Sequence, residues 1–356
     1  MESGNRIDFG LASQMKLLNE KLRFFACPRC HGSLNLASGE RALCACGGQY
    51  GIADGVFDLR YSDGETSILF QKDEERAAIL RARSDALPFD ELVRLCYSLP
   101  CSRTPASLDI SVKFMLDGEN RMETNLQCCS DVVRRAGWEI PRGGCALELG
   151  SGCGLTTGAL TRHFDDVFGI NPAHDESVVA QRANRERFQD RISFALAFGE
   201  HLPFPAGTFD FIIATDVLEH VADPMRVLLE AERVLKPGGI VVMDSPNRFD
   251  AFTPDGHVQL RFVGYLPEAL REPYVQWRIG ASWRMRNVHP LSYGSLRRCL
   301  EGLRCCEYHL DPDPRFVQWQ RKTWKSKIAA SMPGLSRWIG LHVGPNHNFA
   351  VRKNPN

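Results

Sequence analysis

Nowhere in the 356 residues do about 18 uncharged apolar residues run together, so no segment reads as a membrane-spanning helix. Net charge is missing too. Lys plus Arg and Asp plus Glu both total 43, which argues against a surface that grips nucleic acid or an anionic bilayer along its whole extent. The chain has no internal repeat and no low-complexity segment. With 44% hydrophobic and 24% charged residues, collagen-like, fibrous and wholly disordered classes are excluded. The opening stretch MESGNRIDFGLASQMKLLNEKLRFF has no uninterrupted apolar core, so neither a secretory signal nor a membrane span is expected there. One absence is local: the 42 residues from Arg315 to Asn356 contain no Asp or Glu. They carry eight bases: Arg315, Arg321, Lys322, Lys325, Lys327, Arg337, Arg352 and Lys353, interleaved with Trp319, Trp324 and Trp338. Such a segment can lie on a membrane interface or stack on a ligand; it can equally be a solvated cationic helix whose aromatics pack on the domain.

Cysteine is not scarce. Of the 13, Cys27, Cys30, Cys44 and Cys46 fall together as CPRC and CAC; the others are scattered. Scattered cysteines without a leader point to a reducing cytoplasm, with contact at the inner face of a membrane through the basic tail as a secondary expectation. Two short knuckles facing each other can close a thiolate tetrahedron around zinc, with His31 as an alternative fourth ligand. A disulfide pair and an unmetallated remnant are the other readings. A unit of this size can barely form a core without a staple, so bound metal would supply its folding energy.

Three zones follow one another. Residues 21–60 are rich in Cys and Gly, 61–140 carry helical patterning, and 141–353 alternate short apolar runs with amphipathic ones, the pattern of a parallel sheet covered by crossover helices. Strands are expected at 145–149, 166–170, 191–196, 209–214, 239–244, 304–310 and 346–352. A helix is expected over 223–236, with Asp223 as its cap, Pro224 at the first position and Pro237-Gly238-Gly239 as its stop. The expected fold is α/β: a Rossmann-like, seven-stranded, mostly parallel sheet with helices on both faces, preceded by a small zinc-ribbon domain and a helical connector or cap.

The segment ALELGSGCG places Glu148, Gly150, Ser151, Gly152 and Gly154 at a strand end and the opening of a helix, where a glycine-rich turn lets backbone approach a ligand closely. LPFPAGTFDFIIATDVLEHVADP and RVLKPGGIVVMDSPN follow in order. Together these segments resemble class I S-adenosylmethionine-dependent methyltransferases, close to the ubiquinone/menaquinone-type group, from Cys145 to about Lys353. The resemblance implies that the glycine loop holds the methionine end of S-adenosylmethionine and that Glu148 orients the loop and the amino group. It also shows two departures. Where the family's second strand ends in an acidic residue that grips the ribose, this chain has Asn171. Where an Asp accepts from adenine, it has Phe198, in AFGEHLPF, with Gly199 and Glu200 beside it as substitutes. Losing a charge-assisted hydrogen bond costs about 1.5–3 kcal/mol. Asp216 and Leu218 follow the fourth strand, where open α/β sheets bind ligands; Leu218 can wedge against the adenine or the core. Leu22 to Leu59 resembles the zinc ribbon that activates tRNA and translation-factor methyltransferases, which implies a scaffolding role.

If the methyl acceptor is a hydroxyl, a base near neutrality helps, and histidine suits that task. His220 follows the fourth strand, His257 lies in GHVQLRFVGYLP after the fifth, and His289 is a third candidate. The insertion from about Ser245 to Tyr293 can build the acceptor pocket, with Phe249, Tyr265, Tyr274 and Arg278 as lining candidates. The leading expectation is O-methylation of a small-molecule, sugar or lipid-linked acceptor. An RNA methyltransferase and a non-catalytic cofactor-binding scaffold are the alternatives, although TDVLEH lacks an NPPY-type amino-methylation signature.

Overall fold

The computed structural model describes residues 18–37, 41–53, 55–62, 73–99, 105–280, 288–313 and 332–355. Its strands are β1 (Leu34–Ala37), β2 (Arg41–Cys44), β3 (Gln49–Ala53), β4 (Val56–Asp58), β5 (Cys145–Leu149), β6 (Asp166–Ile170), β7 (Ile192–Leu196), β8 (Phe209–Ala214), β9 (Leu235–Pro246), β10 (Cys306–Pro312) and β11 (Asn346–Lys353). Its helices are α1 (Asp73–Arg83), α2 (Phe89–Ser98), α3 (Pro105–Leu116), α4 (Gly118–Arg135), α5 (Leu155–Leu160), α6 (His174–Arg187), α7 (Pro224–Val234), α8 (Glu268–Ile279), α9 (Tyr293–Glu301) and α10 (Pro333–Val343).

Each of the seven expected strands forms, but the sheet is larger than expected. Eleven strands run in the order β1-β2-β3-β4-β7-β6-β5-β8-β9-β11-β10. The cysteine-rich zone is therefore not a separate bead ahead of the sheet. Its last strand pairs in parallel with β7, Phe57 opposite Ala195 and Asp58 opposite Leu196. Phe25 and Phe57 then join Phe168 and Phe204 in one buried aromatic group. Pairing between residues so far apart leaves no periodic trace in sequence.

The central strands β6, β5 and β8 are buried on both faces, which is why they read as nearly continuous apolar runs. Asp223 does cap α7, accepting from the Arg226 amide, and Pro224 opens it. The helix ends two residues earlier than expected, at Val234, because Leu235 is extended and pairs with Phe209. Helices α1, α2 and α3 pack with α6 around Leu80, Leu92, Val93, Val178 and Val179, forming a cover beside the glycine turn.

Among the described residues no helix is long and apolar enough to cross a membrane. Arg315, Arg321, Lys322, Lys325, Lys327, Trp319 and Trp324 lie outside the described residues. The remaining bases of the tail are compensated from outside it. Arg337 pairs with Asp311, Arg352 Nη2 donates to Glu307 at 2.8 Å, and Lys353 Nζ donates to the Glu232 and Leu235 carbonyls at 2.8 Å.

Candidate functional site

The turn after β5 is shaped by backbone that side chains resist. Gly150, Gly152 and Gly154 all have positive φ. At Gly154 (φ 78°) a Cβ would lie 2.8 Å from the Phe194 ring of β7 and 3.0 Å from the Ala180 Cβ of α6, so the turn packs this closely only because that atom is absent. At Gly152 (φ 48°) a Cβ would instead point into the space between Met115 and the Glu176 carboxylate, 3.5 and 3.9 Å away. Ser151 is buried, and the amides of Gly150 and Ser151 are both bound by the Ile170 carbonyl, which ties the turn to the end of β6. Glu148 lies beneath, buried, accepting from the Thr157 hydroxyl. Burial pushes its carboxyl up to about 7, against the hydrogen bonds of Thr157 and Thr156 and the charge of Arg121.

Asn171 stands at the end of β6 as expected, and its Nδ2 donates to Glu176 Oε2 at 2.7 Å. Glu176 also accepts from the Tyr97 hydroxyl at 3.0 Å, and burial raises its pKa. A carboxylate is thus present near the expected place, supplied by the first turn of α6 rather than by the strand end. Sequence reading missed Glu176 and Tyr97; the acidic residue five positions after Asn171 was the available signal.

Phe198 and Gly199 are half-buried at the end of β7. Glu200 is committed locally: its Oε1 accepts from the Ala222 amide at 2.8 Å and faces that of Asp223 at 3.5 Å. Leu218 is fully buried in the main core, one of the two places the sequence allowed it. Asp216 is exposed at positive φ, and its amide donates to Asp244 at 2.8 Å.

Beyond β8 the chain brings His220 and His257 together, Nε2 to Nε2 at 3.2 Å, across 37 positions. Glu219 Oε1 lies 3.7 Å from His220 Nε2, and Asp255 Oδ1 lies 3.5 Å from His257 Nδ1. Asp255 is held in place by the amides of His257 and Val258, at 2.8 and 3.1 Å. Burial first, then the charge of Asp216, push Glu219 up to about 8. The His289 amide donates to the Glu219 carbonyl, but its half-exposed ring turns toward Glu268, 3.8 Å away, and does not join the pair. In the insertion, the Phe249 and Tyr265 rings meet at a tilt with centroids 5.3 Å apart, Tyr274 packs on the small core of Val258, Val263 and Val275, and Arg278 lies over Trp277.

In the cysteine-rich zone, the Cys27 and Cys46 sulfurs are 3.6 Å apart and those of Cys30 and Cys44 are 3.4 Å apart. All four lie within 4.8 Å of one another. Zn–S bonds of about 2.3 Å in a tetrahedron set sulfurs about 3.8 Å apart, so the spacing of the four is close to what one ion needs. His31 is not the alternative ligand: at φ 58° its Nε2 turns to Glu230, 3.7 Å away.

Residues 147–243, from the end of β5 to β9, match the family model described as a methyltransferase domain. Over those residues the chain is similar to a methyltransferase domain. Across 218 residues it is 36% identical to an uncharacterized 37.1 kDa protein of a transposon from Streptomyces fradiae, covering 57% of this chain and 59% of that protein. Over 102 residues it is 33% identical to the ubiquinone biosynthesis O-methyltransferase of Azorhizobium caulinodans, covering 29% of this chain and 40% of the relative. The chain thus spans about three fifths or less of the curated relatives it matches. Among solved structures it is similar to phosphoethanolamine N-methyltransferase 2 of Haemonchus contortus with S-adenosyl-L-methionine: 18% identity, TM-score 0.41, covering 64% of this chain and 52% of that one. The methyltransferase domain holds the glycine turn, Asn171 and the His220 loop, while His257 lies beyond its matched boundary.

Proposed function

We propose that the protein is an S-adenosylmethionine-dependent methyltransferase that O-methylates a small-molecule, sugar or lipid-linked acceptor. The observation that carries the hydroxyl acceptor is the facing imidazole pair His220 and His257, 3.2 Å apart, at the ligand-binding end of the sheet. Glu148, the turn of Gly150 to Gly154, and Asn171 with Glu176 fit the cofactor, since a Cβ at Gly152 would enter the space these groups surround. When bound there, S-adenosylmethionine supplies a methyl group activated by a sulfonium. The protein's own work is alignment and proton management. As the acceptor oxygen takes the methyl group, its hydroxyl proton passes to an Nε2 of the pair, and Asp255 beside Nδ1 of His257 steadies the resulting imidazolium.

The four-cysteine cluster is read as a structural zinc site that fixes residues 21–60 onto the edge of the methyltransferase sheet. Residues 61–140 are read as a cap over the cofactor. An RNA acceptor gains no support from the described part of the basic tail, whose charges are already engaged. Titration calorimetry with S-adenosylmethionine tests the reading: binding in the micromolar range is expected, and no binding at millimolar cofactor would leave only a scaffold.

A further inference from the structure

The Glu219 carboxylate is an unusual group to find where it is. Its side chain is fully buried, and neither oxygen meets a hydrogen-bonding partner beyond the residue's own amide. A buried carboxylate left this way is costly unless something positive or hydrogen-bonding reaches it. The nearest charges make matters worse: Asp216, Asp244 and Asp255 all face it. The nearby nitrogens belong to His220 and His257, and one ligand atom from each of the three residues lies within 4.8 Å of the others.

We propose that Glu219, His220 and His257 form a binding site for a divalent first-row transition-metal cation, with Mn2+ as its probe. Metal–nitrogen and metal–oxygen bonds of about 2.0–2.2 Å place neighbouring ligands roughly 3.0–3.5 Å apart. The 3.2 and 3.7 Å separations here are close to that before any adjustment. Two imidazoles and one carboxylate leave further coordination positions open, and the half-exposed histidines leave the site accessible from solvent. Asp255 completes the arrangement as an outer partner: a carboxylate at Nδ1 of His257 keeps the proton on that nitrogen and turns the Nε2 lone pair toward the ion. This inference deepens the O-methylation reading and rests on it for its role. When bound, the ion would acidify an acceptor hydroxyl on an open position, whose proton would go to solvent on the exposed side; the O–CH3 bond would form as the methyl–sulfonium bond breaks and S-adenosylhomocysteine leaves. With the ion bound, the two histidines serve as ligands, and the base role passes to solvent.

The test uses the full chain, stripped with a chelator and titrated with Mn2+ while the free-ion paramagnetic resonance signal is followed. Thiolates favour softer ions, so the cysteine cluster does not compete for this probe. One Mn2+ per chain is expected, with affinity falling more than tenfold in His257→Asn and in Glu219→Gln. His257 is half-exposed, so that variant is expected to keep the wild-type melting temperature and S-adenosylmethionine affinity. Unchanged Mn2+ affinity in both variants, or no Mn2+ bound by the wild type, would overturn the site. Mn2+ binding without S-adenosylmethionine binding would keep the site and sink the methyl-transfer reading; the reverse result would sink the site alone.

Discussion

The cysteine knuckles and the Glu219–His220–His257 group each gather ligand atoms within 4.8 Å, and they are assembled in opposite ways. The knuckles come from one short hairpin, 20 residues from Cys27 to Cys46, so their convergence is local and their ligand set is visible in the chain itself. The other group joins a strand-end loop to an insertion 37 positions later, and its meaning depends on a carboxylate that only packing isolates. A local cluster can serve stability by itself. A cluster at the ligand end of a parallel sheet, holding a buried carboxyl whose oxygens lack a side-chain hydrogen-bond partner, points to chemistry.

The largest expected effect tests the first half of that contrast. Replacing Cys44 with Ser, or removing metal with a strong chelator, is expected to lower the melting temperature of the whole chain by roughly 5–10 °C, about 3–5 kcal/mol. The loss should be cooperative, because β4 pairs directly with β7. Calorimetry showing an early, separate transition would mean that residues 21–60 fold on their own. Next in size is Glu148. Its folded pKa is raised from 4.5 to about 7, so its contribution to stability is fully present below about pH 4.5 and lost as pH rises through about 7. In the cofactor-free protein this amounts to about 3 kcal/mol. Glu148→Gln should flatten that slope in denaturant titrations at pH 5 and 7.5; equal slopes in both proteins would remove the buried charge from the account.

Gly152→Ala comes third. Positive φ costs a residue with a Cβ about 1–2 kcal/mol, and here the new methyl also enters the space between Met115 and Glu176. Cofactor affinity is expected to fall by one to two decades by calorimetry, with the melting temperature down by only a few degrees. Undiminished affinity would place the cofactor elsewhere. The smallest effect belongs to Arg352→Ala. An exposed pair with Glu307 and a contact over Trp138 at 4.8 Å should be worth about 0.5–1 kcal/mol. A larger loss would mean that the tail braces the sheet edge more firmly than its exposed geometry implies.

Much of the region from β5 to β9 was legible because its signals are short-range. The apolar runs at 145–149, 166–170 and 209–214 became β5, β6 and β8 with unchanged bounds, since strands buried on both faces have little freedom in composition. Asp223 and Pro224 named the start of α7 for the same local reason. The strand count and the placement of residues 21–60 were not legible, because the pairing of Phe57 with Ala195 joins segments more than a hundred positions apart. Glu200 read as a substitute ligand contact and Leu218 as a wedge against the adenine or the core; Glu200 accepts from the Ala222 amide and Leu218 lies in the core.

The sequence by itself determined where backbone must bend, where apolar strands must lie, and which residue types were available for chemistry, since turn geometry, periodicity and side-chain chemistry are properties of neighbours along the chain. Tertiary structure alone decided that Glu176 would stand beside Asn171, that His31 would turn to Glu230, and that Glu219 would be sealed next to two imidazoles. Those outcomes depend on which surfaces exclude water from which charges, and exclusion is settled only when distant segments pack.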